Sequence, residues 1–380
     1  MRRPESIRVA WFIDQFMIGG TELNAIRTLE ALDRHQFEVT VFHLNAEGPL
    51  RQRYEALGVR LVHVPIGGFL SPRTWLQGMR TGHRLRKMGV QVVHAHDVYT
   101  NIFIAFWARL LTRCGIIASR RWMFEVPRPA LNVLNRWSYR FAQRVLANSG
   151  SIVELLQQVE HVPVRKVIEI PNFVDETYFA SEPEERRQQK RRDWGIPEGA
   201  LVVGAVARLA AVKNHAMLLR ACAGLDDVHI VLIGDGLERA PLERLSVELS
   251  MTKRVHFLGT VVSKTNVHQY FDISVLCSRS EGFPNSLLEA LAAARGVIAT
   301  RVGGVPDIVR HEVNGLLVSS DDVAALRTSL LTLKADAGLR ARLGAAGRDH
   351  VQKGFSQSAV IGKLQSLYRE LAAAVTVRSI

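Results

Sequence analysis

Short apolar runs alternate with stretches of helical periodicity along most of this 380-residue chain. The runs are rich in β-branched residues, are apolar on both faces, and are separated by helical stretches. This pattern predicts parallel strands buried in a doubly wound sheet. In the first part of the chain the predicted strands are IRVAWFI (7–13), FEVTVFHL (37–44), VRLVHV (59–64), VQVVHA (90–95), GIIAS (115–119) and RVLA (144–147).

The alternation pauses in one charged segment, 175–199, which contains SEPEERRQQKRRD and is predicted to be a linker with an exposed lead-in helix. We therefore expect an α/β protein of two facing Rossmann-like domains, residues 1–174 and 200–355. The strands of the second domain are predicted at LVVGAVA (201–207), VHIVLIG (228–234), RVHFLG (254–259), ISVLC (273–277), GVIAT (296–300) and GLLV (315–318).

The final segment, 356–380, predicts a helix whose apolar face must pack on another part of the protein. We expect this C-terminal helix to return to the first domain. The predicted face consists of Val360, Leu364, Leu367, Tyr368 and Leu371.

The composition is that of a folded soluble protein, with 47% apolar and 22% charged residues. The longest apolar run, 102–111, is interrupted by Arg109 and is much shorter than the roughly 20 residues that a membrane helix needs. Arg8 and Asp14 interrupt the apolar stretch near the N-terminus, which argues against a signal peptide. We expect a cytoplasmic protein.

The sequence predicts neither a disulfide framework nor a metal site. Three cysteines, Cys114, Cys222 and Cys277, have no close spacing, so we expect each to be a small buried hydrophobic residue. The aspartate pairs 226–227 and 321–322 fall where a turn or a helix start is expected, which favours solvated caps over metal ligands. We therefore expect no metal and no cofactor.

The formal charge of +13 is concentrated in the first half, where residues 1–175 contain 23 Lys and Arg against 14 Asp and Glu. A nucleic acid, an anionic membrane surface and a phosphorylated acceptor all match that sign. No aromatic-interleaved basic sheet or recognition helix accompanies the charge. Nucleic acid is therefore not an expected partner.

Candidate chemistry lies in the second domain, in SEGFPNSLLEALA (280–292). Glu281 and Glu289 flank a predicted strand-to-helix turn, with Asn285 or Ser286 as the cap. Such a helix directs its free N–H groups at the crevice above the strand ends, where a diphosphate binds readily. Carboxylates there suit sugar and ribose hydroxyls, although glutamates also simply favour a helix N-terminus.

Other loops after predicted strands add to this interpretation. In ARLAAVKNH (207–215), Arg208 and Lys213 lie where two cations can neutralise a diphosphate, while the alternative is a solvated basic loop before a helix capped by Asn214. Glycine pairs follow two further strands, and each pair permits a close backbone approach to a ligand. These are Gly234 with Gly236, and Gly303 with Gly304.

These residues resemble the retaining glycosyltransferases of family four, whose members have the GT-B fold. The resemblance spans nearly the whole chain and is more specific in the second half. It is carried, in order, by IGGTEL (18–23), HAHD (94–97), ANS (147–149), IPNFVD (170–175), ARLAAVKNH, IGDG (233–236), VHFLG (255–259), SRSEGFPNSLLEALA (278–292), GGVPDIV (303–309) and NGLLV (314–318).

The resemblance implies that Arg208 and Lys213 hold the donor diphosphate, that Glu281 contacts the transferred sugar and that Glu289 holds the ribose. It places the acceptor beside the first domain, with His96 and Asp97 on that side. Further donor-binding positions implied in the same way are Gly19, Gly20, Gly234, Gly236, Phe283, Pro284, Asn285, Ser286, Leu287, Gly303 and Gly304.

One departure from the family pattern affects the mechanism. Many members carry a histidine just after the fifth strand, and this chain has Ser119, Arg120 and Arg121 there. Arginine is always charged at neutral pH and cannot act as a base. We assign both arginines to the acceptor side, and no protein base is carried over at this position.

The implied reaction is metal-independent transfer of a sugar, with retention, from a UDP- or GDP-sugar to a hydroxyl of a glycan or lipid-linked glycan in bacterial surface polysaccharide or lipopolysaccharide synthesis. Alternatives are a nucleotide-sugar epimerase or a phosphorylase of the same architecture, and a non-catalytic sugar-nucleotide-binding module. A dinucleotide-dependent dehydrogenase fits less well, because no predicted strand is followed by a clear G-x-G-x-x-G.

Residues 120–144 predict a second surface, because six arginines alternate there with Trp122, Met123, Phe124 and Trp137. A helix through 134–145 would place Arg136, Arg140 and Arg144 on one face. This basic amphipathic helix indicates either peripheral docking on an anionic membrane or an ordinary solvated helix.

Overall fold

The computed structural model describes residues 6–69, 71–123, 128–261 and 265–377, and the chain divides into two compact units. Unit 1 comprises Met1–Asn172 and Val360–Ile380, and unit 2 comprises Phe173–Ala359. Each unit is built on its own parallel sheet with helices, so the predicted two-domain α/β class is confirmed.

Unit 1 has a seven-stranded parallel sheet in the order β3-β2-β1-β4-β5-β6-β7. Its strands are β1 Ile7–Ile13, β2 Phe37–His43, β3 Arg60–His63, β4 Val92–Ala95, β5 Gly115–Arg120, β6 Arg144–Ala147 and β7 Val167–Glu169. Its helices are α1 Gly20–Ala31, α2 Arg51–Ala56, α3 Pro72–Lys87, α4 Val98–Leu111, α5 Pro129–Ser138 and α6 Gly150–Glu154.

Unit 2 has a six-stranded parallel sheet in the order β10-β9-β8-β11-β12-β13. Its strands are β8 Leu201–Val206, β9 Val228–Ile233, β10 Val255–Phe257, β11 Ile273–Leu276, β12 Gly296–Thr300 and β13 Leu316–Val318. The helices that follow Asn172 are α7 Glu184–Asp193, α8 His215–Cys222, α9 Arg239–Glu248, α10 Asn285–Ala292, α11 Val305–Ile308, α12 Val323–Ala335, α13 Ala337–Gly354 and α14 Gln357–Val377.

The apolar runs form the cores of both units. Central strands such as β1 and β9 are buried along most of their length, as expected for strands covered by helices on both faces. The three cysteines are free and buried, which confirms their expected role as small hydrophobic residues. Within the described parts of the chain, no helix has the length and apolar character needed to cross a bilayer.

The charged segment before β8 is anchored to unit 2. Arg191, on α7, is only 7% exposed and donates from Nε to the carbonyl of Tyr270 at 2.9 Å and from Nη2 to Asp272 at 2.9 Å. Arg187 donates to the carbonyl of Gln269. The lead-in helix therefore has one face fixed to the unit, because its arginines satisfy backbone carbonyls at the end of the 3-10 turn Val267–Tyr270.

The basic helix predicted through 134–145 is wrong. Helix α5 ends at Ser138, and Arg144 is the first residue of strand β6. Gln143 fixes the chain beside β5 through two hydrogen bonds to Ile116. The backbone N–H of Gln143 donates to the Ile116 carbonyl, and the side-chain amide oxygen of Gln143 accepts from the Ile116 N–H. The arginines at 136, 140 and 144 therefore share no helical face. Arg144 instead pairs with Glu370. Phe124 lies outside the described residues.

Helix α14 packs its apolar face on unit 1, with all five predicted residues buried. Its contact with the sheet is polar at one point. The hydroxyl of Tyr368 accepts a hydrogen bond from Trp11 Nε1 at 3.0 Å and lies 2.7 Å from His94 Nδ1. Since Trp11 can only donate, the Tyr368 hydroxyl donates to His94, whose other ring nitrogen then donates to Ser119 Oγ at 3.0 Å.

Replacing Tyr368 with phenylalanine is expected to lower the free energy of unfolding by roughly 2 kcal/mol, because two buried polar atoms lose their partner. For a domain of this size the melting temperature should fall by about 4–8 °C. Thermal unfolding followed by circular dichroism measures this. The control is Tyr99→Phe, since the Tyr99 hydroxyl has no hydrogen bond among the described residues, and an equal loss in both variants would contradict the role of the buried network.

Candidate active site

The candidate site lies at one edge of the unit 2 sheet. All six strands are parallel, so the loops after β8, β9, β11 and β12 leave the sheet at the same edge. Strand order reverses direction between β8 and β11, which are neighbours. Ligands of open α/β sheets bind at such a switch point, at the carboxyl ends of the strands.

Two predicted site residues meet at that switch point. Lys213, in the loop after β8, lies 2.5 Å from Glu281 Oε1, in the loop after β11. The Lys213 side chain is 22% exposed and the Glu281 side chain is 8% exposed. A pair with this degree of burial is screened less than a surface pair, so the ammonium is held in place at the crevice.

The Glu281 carboxylate has a second support within its own loop. Ser278 donates from Oγ to the same Oε1 oxygen at 2.6 Å and is fully buried. The carbonyl of Ser278 accepts in turn from Thr300 Oγ1, at the end of β12, at 2.6 Å. Two strands therefore fix Glu281, which leaves its Oε2 oxygen outside these contacts.

Gly303 lies in the loop after β12, at a position where only glycine fits. Its φ is +49°, and a Cβ built there would overlap the backbone carbonyl oxygen of Glu281. Any side chain at this position would push the 301–304 loop away from the loop that carries Glu281. Gly303 is therefore part of what positions the carboxylate.

Arg208 is exposed in the loop after β8, in contrast to the half-buried Lys213. The loop that holds it is packed against the turn after β9, where Cβ atoms at Gly234 and Gly236 would overlap the carbonyls of Ala207 and Leu209. Both glycines thus bring two backbones together. The second backbone is that of the Arg208 loop. This packing fixes the loop, while the Arg208 guanidinium itself stays exposed.

A brace around Lys213 was not predicted from the sequence. Arg279 forms a bidentate pair with Asp321, with Nη2 2.7 Å from Oδ1, and donates from Nη1 to the carbonyl of Ala211 at 3.1 Å. Asn214 has a left-handed φ of 50° and donates to Asp321 at 2.9 Å instead of capping α8. Asp321 is therefore solvent-exposed, as predicted, but it is a partner of the Lys213 loop and not a helix cap, whereas Asp322 does cap α12.

The other paired aspartates are also engaged by cations. Asp226 lies 3.3 Å from Arg254, and Asp227 lies 2.6 Å from Lys334. Within the described residues, no group of three or more His, Cys, Asp or Glu side chains is arranged to hold a metal ion.

Helix α10 begins at Asn285 with Pro284 at its N-cap, and no side chain caps it. The prediction of Asn285 or Ser286 as the cap is wrong, because Asn285 already belongs to the first turn. The side chains of Phe283 and Leu287, two of the predicted donor-binding residues, are buried in the core. Only their backbone groups are available to a ligand. Glu289 lies in the second turn and is half-buried, and its carbonyl accepts from Asn266 Nδ2 at 2.6 Å.

Unit 1 presents a polar edge where strand order reverses between β1 and β4. Asp97 caps α4 through the backbone N–H of Thr100 and accepts from the N–H of Asp14 at 3.0 Å. Burial, with a smaller effect from the Asp14 charge, raises the pKa of Asp97 to about 7. At Gly19 a Cβ would overlap the Glu22 carboxylate, whereas a Cβ at Gly20 would meet open space.

The acceptor-side residues of the sequence prediction have different environments. His96 is 1% exposed and stacks 4.0 Å from His94. Burial lowers its pKa well below the usual value, and in the described structure neither ring nitrogen has a hydrogen-bond partner. His96 is therefore neutral at pH 7.

Arg120 is not available to an acceptor. It is 3% exposed and lies 3.3 Å from the buried Glu160, so the assignment of Arg120 to the acceptor side is wrong. Arg121 is partly buried and donates to Asn172 Oδ1 at 3.4 Å, and burial lowers its pKa to about 10. Arg121 remains cationic at neutral pH.

Two family models match separate halves of the chain. The model described as Glycosyltransferase Family 4 matches residues 18–178, and the model described as Glycosyl transferases group 1 matches residues 186–350. The second match contains the Lys213 and Glu281 pair. The first contains the polar edge of unit 1.

Individual proteins agree with these matches. The D-inositol 3-phosphate glycosyltransferase of Salinispora arenicola is 31% identical over 94% of this chain and 88% of its own length. The N-acetyl-alpha-D-glucosaminyl L-malate synthase of Bacillus anthracis is 27% identical, and the aligned stretch covers 64% of each chain. A crystal structure of Anabaena Alr3699/HepE in complex with UDP has a TM-score of 0.86 at 19% identity over 96% of this chain and all of that one, which shows the same fold.

Proposed function

This chain belongs to the family-4 glycosyltransferases of GT-B fold, and from that premise we propose that it transfers a sugar, with retention, from a UDP- or GDP-sugar to a hydroxyl of a glycan or lipid-linked glycan. The proposed setting is bacterial surface polysaccharide or lipopolysaccharide synthesis. The Lys213–Glu281 pair at the switch point of unit 2 carries the proposal.

The chemistry requires stabilisation of a leaving nucleoside diphosphate. The bond between the anomeric carbon and the diphosphate oxygen breaks, and the acceptor hydroxyl oxygen forms the new bond from the same face. A diphosphate oxygen takes the acceptor proton, so no protein base is needed. Lys213 and Arg208 supply the positive charge that the departing diphosphate requires, and fixed cations in a water-poor crevice do this well.

Glu281 and Glu289 have different proposed partners. The Oε2 oxygen of Glu281 is directed to a hydroxyl of the transferred sugar, because Oε1 is already used by Lys213 and Ser278. Glu289 holds the ribose hydroxyls. Charge-assisted hydrogen bonds of this kind are stronger than neutral ones.

The proposed acceptor carries an anionic group. Residues 1–175 have an excess of nine positive charges. One relative named above is an N-acetyl-alpha-D-glucosaminyl L-malate synthase and another is a D-inositol 3-phosphate glycosyltransferase, and malate and inositol phosphate are both anionic. Arg121 is the cation at the polar edge of unit 1 that suits this role. A lipid-linked diphosphate glycan meets the same requirement.

A thermal-shift screen of nucleotides and nucleotide sugars tests the proposal and identifies the base. A ligand at a hundred times its Kd adds roughly 2.7 kcal/mol of stability. We expect UDP or GDP, with the matching sugar nucleotides, to raise the melting temperature, and Lys213→Ala to reduce that shift. No shift with any nucleotide at millimolar concentration contradicts donor binding, and conversion of the donor sugar without an acceptor favours the epimerase alternative.

Activity is expected to survive excess EDTA, because side-chain cations and backbone amides meet the diphosphate charge in the proposed mechanism. The measurement compares the rate of nucleotide release with and without excess chelator. We expect roughly equal rates. Complete loss on chelation, restored by Mn²⁺ or Mg²⁺, rejects the metal-independent mechanism.

A further inference from the structure

Unit 1 carries an aromatic cluster on α3, α4, α5 and the turn that follows α5, on elements that hold none of the candidate site residues. Trp75 lies edge-on to Trp107 with ring centroids 5.6 Å apart, and Phe106 stacks with Trp137 at 6.1 Å. Phe141 lies edge-on to Trp137 at 4.7 Å. These five rings form one continuous surface, which we name the aromatic surface.

Glycines on α3 make this arrangement possible. A Cβ at Gly78 would overlap the Trp107 indole, and a Cβ at Gly82 would lie 2.7 Å from Leu111. The two glycines are four residues apart and so share a helix face, which lets α4 approach closely. Trp107 fills that face, and the groove above it is walled by Trp75 and Trp137.

The rings that border the groove are exposed in the folded chain. Trp75 is 51% exposed and Trp137 is 45% exposed, although large apolar side chains are normally covered. Neighbouring apolar side chains on the same three helices are exposed as well, which extends the patch. They are Leu76, Met79, Leu110 and Val133. A contiguous exposed patch of this kind marks an interaction surface.

The same helices are strongly basic. Residues 71–144 contain 13 Lys and Arg against two acidic residues, a net of +11 out of the +13 of the whole chain. Helices α3, α4 and α5 contain no Asp or Glu at all. Exposed arginines on or beside them include Arg73, Arg80, Arg109 and Arg140.

We propose that the aromatic surface and its surrounding arginines dock unit 1 on an anionic phospholipid leaflet. Tryptophan combines an apolar body with a polar N–H and is favoured at the depth of lipid headgroups. Arginine binds phosphate through a planar set of donors. Each Lys or Arg near an anionic leaflet adds to the attraction, so several together give reversible, salt-sensitive attachment without a spanning helix.

Charge alone would also suit a nucleic acid, but two features favour a lipid surface. The exposed apolar side chains include aliphatic ones, Leu76, Met79 and Leu110, which bind acyl chains and do not stack on bases. These three side chains lie on α3 and α4, the helices that carry two walls of the groove, whereas single-strand binding uses aromatic platforms along a basic channel.

Sedimentation with vesicles tests the proposal on the full chain without donor or acceptor, so its outcome is independent of the transferase activity. Binding is expected with vesicles containing phosphatidylglycerol, not with pure phosphatidylcholine, and it should fall as salt rises from 50 to 500 mM (roughly 14 to 4 Å in screening length). Neutralising Arg73→Gln with Arg80→Gln should lower the partition coefficient about thirtyfold.

The aromatic contribution is tested by Trp75→Ala with Trp137→Ala, which should lower partitioning at least tenfold at fixed salt. Matched controls in unit 2 are Arg244→Gln with Lys253→Gln, and Val247→Ala with Leu331→Ala, all of them at exposed positions. Circular dichroism melts verify that each variant folds, and hydrogen exchange on vesicles should show protection in α3 and α5.

Three outcomes overturn the proposal. The first is failure to sediment with anionic vesicles at low salt. The second is equal loss of binding in the control variants, and the third is binding to single-stranded RNA with none to vesicles. Protection in α3 and α5 together with the losses in both variant pairs establishes the aromatic surface as the membrane contact.

Discussion

Replacing Lys213 with alanine is expected to lower kcat by about 100- to 1000-fold, the loss typical when one preorganised contact to developing negative charge is removed. The ammonium is held 2.5 Å from Glu281 at the switch point, so it needs little reorganisation when the diphosphate departs. Nucleotide release in a coupled assay with the identified donor measures the effect.

The exposed Arg208 gives a comparison for that loss. Arg208→Ala should also depress kcat strongly, whereas Lys253→Ala, an exposed cation elsewhere in unit 2, should leave it unchanged. The Lys213 variant should melt below the wild type, because the buried Glu281 carboxylate loses its ammonium partner and keeps only the bond from Ser278, so rates are compared well below the melting transition. Turnover within threefold of wild type in both loop variants removes these cations from the mechanism.

The two glutamates should separate in kinetics. Glu281→Gln is expected mainly to lower kcat, because the proposed mechanism puts its carboxylate beside the reacting sugar and because the same carboxylate holds Lys213. Glu289→Gln is expected mainly to raise KM for the donor, since ribose binding is the same in the ground state and the transition state. Identical effects of the two substitutions on kcat and KM contradict this division.

Replacing Gly303 with alanine is expected to destabilise unit 2 by roughly 3 kcal/mol or more, because the new Cβ overlaps the carbonyl of Glu281 and the residue holds a positive φ. The melting temperature should fall by about 6–12 °C. Because the overlap is with the backbone next to the carboxylate, activity below the melting transition should also fall.

Gly224→Ala separates the overlap from backbone strain. Gly224 has a φ of +72°, similar in sign to that of Gly303, but a Cβ there meets nothing within 4 Å. Its variant should lose about 1 kcal/mol, the usual cost of a left-handed non-glycine residue. If both variants lose the same stability and the same activity, the close approach at Gly303 does not position Glu281.

Much of the fold followed from the sequence, because buried parallel strands leave an apolar signal along both faces. All twelve predicted strands are present, and 7–13 and 296–300 have the predicted bounds. Strand β7, Val167–Glu169, was missed. It is short, half-buried and ends in a glutamate, so it lacks the apolar signal of a central strand.

The candidate site was predictable as a set of loops but not as contacts. The sequence placed Lys213 and Glu281 after two predicted strands of one domain. That these strands are neighbours, and that the two side chains form an ion pair, depends on sheet order and side-chain directions that no local pattern encodes. The brace from Arg279 to Asp321 joins residues 42 positions apart in the chain. Arg120 was assigned wrongly for a similar reason, since its partner Glu160 follows the helical turn Leu155–Val159, where no motif identifies it.

Helix α14 also affects how the chain is made. Unit 1 includes Val360 and the residues after it, and Tyr368 joins that helix to Trp11 and His94. During synthesis the whole of unit 2 emerges between the two parts of unit 1. Domains generally fold in the order in which they leave the ribosome. Here the N-terminal sheet starts first but gains its covering helix last, so unit 2 can reach its native state while the earlier unit still exposes the face of Trp11.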